Sequence, residues 1–295
     1  MRVLVTGATG YIGSAVAGEL AAAGHRVVGL TRAPEKAAML EAMGAEPVVG
    51  DLRDTDSWAG AASESEALVH VAAEDSEDGP AVDRMAVDAL LASTAGAPRV
   101  LVYTSGCFIL GDTGYGPANE DAPVDHPPER AAWRPAQERR VLDADAPGLA
   151  TSVIRPGMVY GGEDGAFADF FASAEDEGAA RFVGDGTNRW SPVYRGDVAR
   201  LYRMVLERAG RGVFHCAEAA ERVDALAAAA SRAAGAGGAT VATPLAEARR
   251  EMGALADALV LDQVMGCARA RAFGWAPEHP PFIESADAVY AEYGR

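Results

Sequence analysis

Short apolar runs alternate with longer amphipathic stretches along the first half of the chain. Short runs rich in valine, leucine and alanine are typical of strands buried in a parallel sheet. They predict strands at Arg2–Val5, Arg26–Leu30, Pro47–Val49, Ala67–Val71, Val100–Thr104 and Thr151–Ile154. The amphipathic stretches predict helices near Ile12–Ala23, Pro34–Met43, Val82–Ala95 and Glu129–Ala144. This β-α alternation predicts an α/β fold built on a doubly wound parallel sheet of Rossmann type.

The alternation stops after Arg155, and the remaining pattern predicts a second, smaller lobe. It contains a predicted helix in "AFADFFASAEDEGA", a loop and helix in "FVGDGTNRWSPVYRGDVARLYRMVLERA", and a strand in "GVFHCAE". A helix, a loop and the start of a strand are predicted within Leu226–Ala242. We therefore expect a nucleotide-binding domain at residues 1–155, to which elements of 192–217 return, and a substrate-binding lobe mainly at 156–295.

Composition narrows the range of partners. The chain has 295 residues, of which 49% are hydrophobic, so it can bury a sizeable core. Its net charge of −17 argues against binding nucleic acid or an anionic membrane surface, because both need a basic face. The N-terminus enters a strand pattern at once and no long apolar stretch follows, so a cytoplasmic protein is expected. The three cysteines are widely spaced, which predicts reduced thiols and no metal site.

A glycine-rich turn follows the first predicted strand. The segment "VTGATGYIGSAV" places Gly7, Gly10 and Gly13 between that strand and the first helix. Gly7 permits a sharp turn, Gly10 leaves room for a pyrophosphate, and Gly13 lets the helix pack closely on the sheet. The helix N-terminus then offers free N–H groups and a positive dipole to phosphates. The segment predicts a dinucleotide site.

The GxxGxxG spacing resembles that of the short-chain dehydrogenase/reductases, and the chain as a whole resembles their extended, epimerase/dehydratase-like branch. Similar segments follow in order: "GDLRD", "LVHVAA", "YTSGCFILG", "RPGMVYG" and "GDGTNRWSPVYRGDVARLY". The resemblance implies a small-molecule substrate, a homodimer, and cofactor contacts from Gly7, Thr9, Gly10, Tyr11, Ile12, Gly13, Thr31, Arg32, Asp51, Leu52, Val71, Ala72, Ala73, Thr104, Ser105, Arg134, Pro156, Gly157 and Val159.

The end of the second strand indicates which dinucleotide binds. An NAD site normally has an acid there, which accepts hydrogen bonds from the ribose 2′-hydroxyl. Here the strand ends in Thr31 and Arg32. Because an arginine can hold a 2′-phosphate through charge-assisted hydrogen bonds, the sequence favours NADP(H) over NAD(H).

The family's catalytic residues are missing. Alignment on Glu138 puts Arg134 at the family's lysine position and Arg130 at its tyrosine position. The usual serine or threonine position falls on Gly106, one place after Ser105. Arginine stays protonated at working pH, so Arg134 can bind but cannot exchange protons.

Other groups must then supply any proton. The candidates are Tyr160, Tyr194 and Ser105, with Cys107, Tyr115 and His126 also near the expected cleft. Asp197 is expected to cap the helix that begins near it. Substrate contacts are expected from Gly106, Cys107, Arg130, Tyr160 and Arg189. The sequence favours an atypical NADPH-dependent reductase of a small, secondary-metabolite-like molecule. A non-redox epimerase, dehydratase, isomerase or cyclase on the same scaffold, and a non-enzymatic NADP(H)-sensing protein, stay open.

Overall fold

The computed structural model describes residues 1–95, 99–114 and 116–294. Numbered in chain order, the strands are β1 (Arg2–Thr6), β2 (Arg26–Thr31), β3 (Glu46–Val49), β4 (Ala67–His70), β5 (Arg99–Thr104), β6 (Leu149–Pro156), β7 (Met158–Tyr160), β8 (Ala180–Val183), β9 (Arg189–Trp190), β10 (Pro192–Tyr194), β11 (Gly212–Cys216), β12 (Glu221–Arg222) and β13 (Thr240–Thr243). The helices are α1 (Tyr11–Ala22), α2 (Ala37–Ala42), α3 (Asp56–Ser63), α4 (Gly79–Ser93), α5 (Arg134–Leu142), α6 (Ala166–Glu177), α7 (Arg195–Glu207), α8 (Val223–Ala233), α9 (Leu245–Met252), α10 (Leu255–Leu259), α11 (Ala268–Ala272) and α12 (Phe282–Tyr293).

Seven strands form the main sheet, in the order β11-β6-β5-β4-β1-β2-β3. The pairings among β1 to β6 are parallel. The inner strands β4 and β6 are buried along their whole length, as expected for a parallel sheet covered on both faces. The strand order reverses between β1 and β4. In doubly wound sheets of this kind, ligands bind at the carboxyl ends of the strands beside such a reversal.

Contacts divide the chain into two compact units. The first contains residues 1–105, 133–154 and 199–214, and the second contains 106–132, 155–198 and 215–295. The sequence-based boundary at residue 155 put 106–132 in the nucleotide-binding domain, so the two divisions differ there. The core of the first unit is built from side chains of the sheet and its helices, including Leu4, Trp58, Leu68, Leu101 and Val141. The second unit holds three two-stranded sheets, β7 with β10, β9 with β12, and β8 with β13.

Strands β1 to β6 and β11 lie where the hydrophobic pattern predicts them, whereas the pattern did not predict the strands β7, β8, β9, β10 and β12 or the helices α9 to α12. The expected helix at Pro34–Met43 is a 3₁₀ turn at Pro34–Lys36 followed by α2. The expected helix at Glu129–Ala144 is a single 3₁₀ turn at Glu129–Ala131 followed by α5, which begins at Arg134. Pro135 explains the interruption, since it has no N–H to bond the carbonyl of Ala131 and its ring would clash there. Helix α3 was not predicted. No helix among the described residues is long and apolar enough to cross a membrane.

Candidate functional site

The loop after β1 is shaped by two glycines whose neighbours leave no room for a side chain. A Cβ atom at Gly7 would lie 2.6 Å from the Ala72 Cα, and Gly7 has a φ of +71°. A Cβ atom at Gly13 would lie 2.0 Å from the Gly7 carbonyl oxygen. These contacts bring the loop, the start of α1 and the end of β4 together at the reversal point of the sheet.

Gly10 differs from both, because a Cβ atom there would meet only the Gly7 carbonyl oxygen, at 3.3 Å. The residue is exposed and caps α1 without a side-chain hydrogen bond. The Ser14 N–H donates to the Gly10 carbonyl at 2.9 Å. The N–H groups of Ile12 and Gly13 precede that bond in the first turn, where an α-helix supplies no carbonyl for them. A helix N-terminus of this kind, next to a residue without a side chain, is suited to binding a pyrophosphate.

At the end of β2, Thr31 is buried and bonded within the protein, whereas Arg32 is exposed. Thr31 is buried, and its hydroxyl accepts the Ala33 N–H at 3.2 Å. The Arg32 side chain is 61% exposed, and its Nη1 lies 3.9 Å from the Glu74 Oε2. Arg53 Nη2 donates to the Glu74 Oε1 at 2.6 Å. Two guanidinium groups therefore share one carboxylate at the edge where an adenosine ribose would lie.

The other residues expected at the cofactor in the first unit line the same carboxyl edge. Asp51 accepts the Arg53 N–H through its Oδ1 at 2.9 Å, and Leu52 is half-buried against the core. Val71, Ala72 and Ala73 directly follow β4, and the exposure of this segment rises from half-buried to exposed. Thr9 is half-buried in the glycine loop. These placements agree with a cofactor role, which stays a prediction for each residue.

A hydroxyl pair and a cation lie at the end of β5. Thr104 Oγ1 and Tyr202 Oη are 2.7 Å apart, and Tyr202, on α7, is completely buried. Arg134 Nη1 donates to the Thr104 carbonyl at 3.2 Å, and its guanidinium lies 4.5 Å from the centre of the Trp133 ring. The Ser105 side chain is 7% exposed, and its Oγ has no hydrogen-bond partner among the described residues.

The position expected for the family's tyrosine lies in a different element. Arg130 belongs to the 3₁₀ turn at Glu129–Ala131 and to the second unit, whereas Arg134 is the first residue of α5 and belongs to the first. The two arginines are therefore not two positions on one helix, as the sequence spacing predicted. The substrate role of Arg130 stays a prediction.

Buried polar side chains connect α4, α5 and three strands beneath this edge. Asp83 accepts hydrogen bonds from Tyr103 Oη at 3.1 Å and Gln137 Nε2 at 2.7 Å. His70 Nε2 lies 3.2 Å from Asp83, and His70 Nδ1 lies 2.7 Å from the Thr6 hydroxyl. Burial opposes ionisation of Asp83, but the bonds from His70 and Gln137 and the charge of Arg134 outweigh it and lower its pKa. The Asp83 carboxylate is therefore a negative charge that acts on Arg134.

In the second unit, the exit of β6 is tightly packed. The Gly157 N–H donates to the Cys216 carbonyl at 2.9 Å, and a Cβ atom at Gly157 would lie 2.1 Å from the Ser191 carbonyl oxygen. Internal packing is therefore enough to require this glycine. Pro156 is buried and Val159 half-buried. A cofactor role for all three stays a prediction.

Gly106 and Cys107 also belong to the second unit. A Cβ atom at Gly106 would have no neighbour within 4 Å, so the position of the family's serine or threonine is an open space here. Cys107 is buried with its Sγ 3.9 Å from the Met158 Sδ, and burial raises the pKa of its thiol to about 12. Such a thiol does not exchange protons near neutral pH.

Tyr160 and Tyr194 are bound within the second unit. The Tyr160 ring is completely buried, and its hydroxyl lies 2.7 Å from Glu218 Oε1 and 3.1 Å from the Pro280 carbonyl. Tyr194 Oη donates to Glu292 Oε1 at 3.0 Å. Burial and the neighbouring carboxylate raise the pKa of each hydroxyl above its usual range. Neither geometry supports the expected role as a proton donor to a substrate.

The side chains of Arg189 and Asp197, for which the sequence predicts roles, are both bonded within the second unit. Arg189 donates through Nε and Nη2 to both carboxylate oxygens of Asp262, at 2.8 and 2.6 Å. The guanidinium that was expected to contact the substrate is therefore already paired within the protein. Asp197 accepts the N–H groups of Glu278 and His279 at 3.0 Å, and so holds a segment 81 residues away along the chain. The prediction that Asp197 caps the start of α7 is wrong, because α7 begins two residues earlier, at Arg195.

One surface cavity belongs wholly to the second unit. It has a volume of about 570 Å³, and exposed His126 lies at its rim with Leu110, Asp125, Arg249 and Leu261. Tyr115 lies outside the described residues.

Sequence reasoning missed Arg53, Asp83, Tyr202 and Glu218. The sequence did contain a signal for Arg53, because this residue follows Asp51 by two positions and is a second cation near the predicted ribose site. The others had none: Tyr202 meets Thr104 98 residues away, and Glu218 meets Tyr160 58 residues away. Only the fold brings such pairs together.

Comparisons with known proteins agree with this fold. A model of the NAD dependent epimerase/dehydratase family matches residues 3–217. An uncharacterized protein of Saccharomyces cerevisiae is 36% identical over 225 residues, which cover 73% of this chain and 74% of that protein. The 2-alkyl-3-oxoalkanoate reductase of Stenotrophomonas maltophilia is 29% identical over 226 residues, covering 72% of this chain and 67% of that enzyme. The crystal structure of human epimerase family protein SDR39U1 with NADPH shares the fold, with a TM-score of 0.83, 22% identity and 99% coverage of both chains.

Proposed function

The chain belongs to the NAD-dependent epimerase/dehydratase family, and on this premise we propose that it is an NADPH-dependent reductase of a small molecule. The observation that carries the proposal is the N-terminus of α1, where a Cβ atom at Gly10 would meet only one atom within 4 Å and the N–H groups of Ile12 and Gly13 precede the first helical bond. A site of this shape binds a pyrophosphate through hydrogen bonds and the helix dipole. Similarity to a relative named as a reductase supports net reduction over the family's non-redox reactions.

Arg32 and Arg53 support NADPH as the preferred dinucleotide. Arg53 is paired with Glu74 at 2.6 Å and lies 3.7 Å from Asp78, whereas Arg32 has only a long contact of 3.9 Å with Glu74, so Arg32 is the less neutralised cation. A 2′-phosphate carries up to two negative charges and can accept bidentate hydrogen bonds from a guanidinium. An NADH ribose has only hydroxyls there, and no carboxylate ends β2 to accept from them. The exposed guanidinium of Arg32 is the group we expect to bind the 2′-phosphate.

The end of β5 supplies the remaining chemistry in the first unit. When bound, the reduced nicotinamide supplies a hydride. Ser105 Oγ is a buried hydroxyl without a partner among the described residues, so it can donate to a substrate oxygen. Arg134, held against the Thr104 carbonyl, is a permanent cation that stabilises negative charge or binds ribose hydroxyls.

Tyr202, on α7, lies beside the end of β5. Its hydroxyl is completely buried and bonded to Thr104 Oγ1, which is half-buried. Tyr202 therefore acts through Thr104 by orienting the threonine hydroxyl. A cation, a Ser/Thr hydroxyl and a tyrosine thus meet at β5, with the tyrosine contributed by α7 instead of the helix that carries it in the family.

The proposal is tested by following the absorbance of bound NADPH while candidate substrates are added. The first candidates are 2-alkyl-3-oxoalkanoates, the class named for the bacterial relative, and conjugated enones. NADPH oxidation matched to product formation supports the reductase. Conversion of a substrate without net NADPH consumption would instead identify a non-redox isomerase or lyase. Failure to bind either dinucleotide contradicts both functions.

A further inference from the structure

A carboxylate lies among the cations at the edge where we propose that the 2′-phosphate binds. Glu74 belongs to the loop that follows β4. Its side chain is 21% exposed, whereas those of Arg32 and Arg53 are 61% and 41% exposed. The Glu74 main chain packs closely against the start of α4, because a Cβ atom at Gly79 would lie 2.3 Å from the Glu74 carbonyl oxygen. Of these three charged groups, the carboxylate is therefore the most enclosed.

The two carboxylate oxygens of Glu74 face different guanidinium groups. Arg53 Nη2 donates to Oε1 at 2.6 Å, and Arg32 Nη1 lies 3.9 Å from Oε2. Arg53 also lies 3.7 Å from Asp78, whose side chain is 75% exposed. A short charge-assisted hydrogen bond is stronger than a long contact between exposed ions. Glu74 therefore neutralises mainly Arg53, and it leaves the charge of Arg32 largely uncompensated.

A carboxylate at this place acts in opposite ways on the two dinucleotides. It repels the 2′-phosphate of NADPH, and it competes with that phosphate for the Arg53 guanidinium. Toward NADH it can accept a hydrogen bond from a ribose hydroxyl, which is the task of the acid at the end of the second strand in NAD sites. Here β2 ends in Thr31 and is followed by Arg32, so the carboxylate comes instead from the loop after β4.

We propose that Glu74 is a specificity-determining residue that limits the preference of this protein for NADPH over NADH, an inference that rests on the proposed function. While Glu74 is paired with Arg53, Arg32 is the main cation for the 2′-phosphate. Without the carboxylate charge, Arg53 becomes a second phosphate ligand and the repulsion is removed. Loss of the Glu74 charge should therefore shift the preference in the direction opposite to loss of Arg32.

Dissociation constants of NADPH and NADH for the parent protein and Glu74→Gln test this inference. Glutamine keeps the shape of the side chain and removes its charge. Glu74→Gln should bind NADPH about threefold to tenfold more tightly, the size expected when one charge beside a solvated anion is removed. It should bind NADH with the same or lower affinity. The preference for NADPH should therefore rise.

Salt distinguishes a charge effect from a change in local structure. The Debye length falls from about 30 Å at 0.01 M ionic strength to about 3 Å at 1 M. The gain in NADPH affinity of Glu74→Gln should therefore shrink at high salt, whereas a structural effect would persist. Titration with adenosine 2′,5′-bisphosphate and adenosine 5′-monophosphate, which differ only in the 2′-phosphate, gives the same comparison without a nicotinamide.

Glu77→Gln is the matched control, because Glu77 is an exposed acid in the same loop before α4. Its preference for NADPH should stay within about twofold of the parent's. A preference that is unchanged or lower in Glu74→Gln, or that rises equally in Glu77→Gln, overturns the inference and leaves NADPH binding by the parent intact. Failure of the parent to bind either dinucleotide would overturn the proposed function and this inference with it.

Discussion

Gly10→Ala should abolish tight cofactor binding while leaving the fold intact. The added Cβ atom would meet only the Gly7 carbonyl oxygen, at 3.3 Å, and the φ of −85° at this residue suits alanine. As the N-cap of α1, alanine is less favourable than glycine by about 1 kcal/mol or less. Loss of stability should therefore be small.

The loss of affinity should be much larger. The methyl group would occupy space beside the start of α1, where we propose that the pyrophosphate approaches the N–H groups of Ile12 and Gly13. A hydrogen bond to a charged group contributes ~1.5–3 kcal/mol, so displacing two of them costs ~3–6 kcal/mol. That corresponds to a rise in the dissociation constant of roughly a hundredfold to ten-thousandfold.

Calorimetric titration with NADPH measures this change, and thermal melting followed by circular dichroism measures the fold. Gly18→Ala is the matched control, since Gly18 lies inside α1 with no atom within 4 Å of an added Cβ. That substitution should stabilise the helix by about 0.5–1 kcal/mol and leave binding unchanged. If Gly10→Ala binds NADPH within about threefold of the parent, the glycines form only a turn and the phosphate site is refuted.

Substitutions at three further residues test the remaining groups. Arg134→Ala should weaken cofactor or substrate binding by ~1.5–3 kcal/mol, while Arg134→Lys retains most of it and adds no pH-dependent step; titration of both variants within twofold of the parent would contradict this role. Tyr202→Phe should leave NADPH affinity unchanged but lower turnover, because the Thr104 hydroxyl loses the partner that orients it, and unchanged turnover would leave Tyr202 as core packing. Burial raises the pKa of Glu218 in the folded protein to about 7, above its unfolded value. The protonated carboxyl therefore adds to the free energy of unfolding at acid pH, and this contribution is lost as the pH rises to about 7. The full shift corresponds to about 3 kcal/mol. Glu218→Gln should therefore unfold in urea with a free energy that changes less with pH than the parent's, and parallel curves would contradict it.

Most strands of the first unit could be predicted from sequence because they are buried on both faces; β3, at the edge of the sheet, is partly exposed. Each reads as a short apolar run bounded by polar or turn residues, and β1 to β6 lie where the pattern placed them. The glycine loop was predictable for a related reason, since its spacing encodes close approaches of the main chain. The break before α5 also has a local cause, Pro135, although the periodic pattern alone predicts one uninterrupted helix there.

The side-chain partners of the candidate site could not be predicted in this way. Arg189 has the position of a substrate contact, but Asp262, 73 residues later, neutralises it. Tyr160 has the position of a cleft residue, but Glu218 and the start of α12 bury it. The local sequence indicates which element a residue belongs to. Its side-chain partners that are distant along the chain depend on how the elements pack.

The preference for NADPH is tested most directly by measuring the dissociation constants of NADPH and NADH for the parent protein and Arg32→Ala. Arg26→Ala is the matched control, because Arg26 is an exposed arginine at the opposite end of β2, paired with Glu46. The parent should bind NADPH more tightly, and Arg32→Ala should reduce that preference by about tenfold or more, as expected for a lost bond of ~1.5–3 kcal/mol. Arg26→Ala should retain it. Equal affinity of the parent for the two dinucleotides would contradict the assignment.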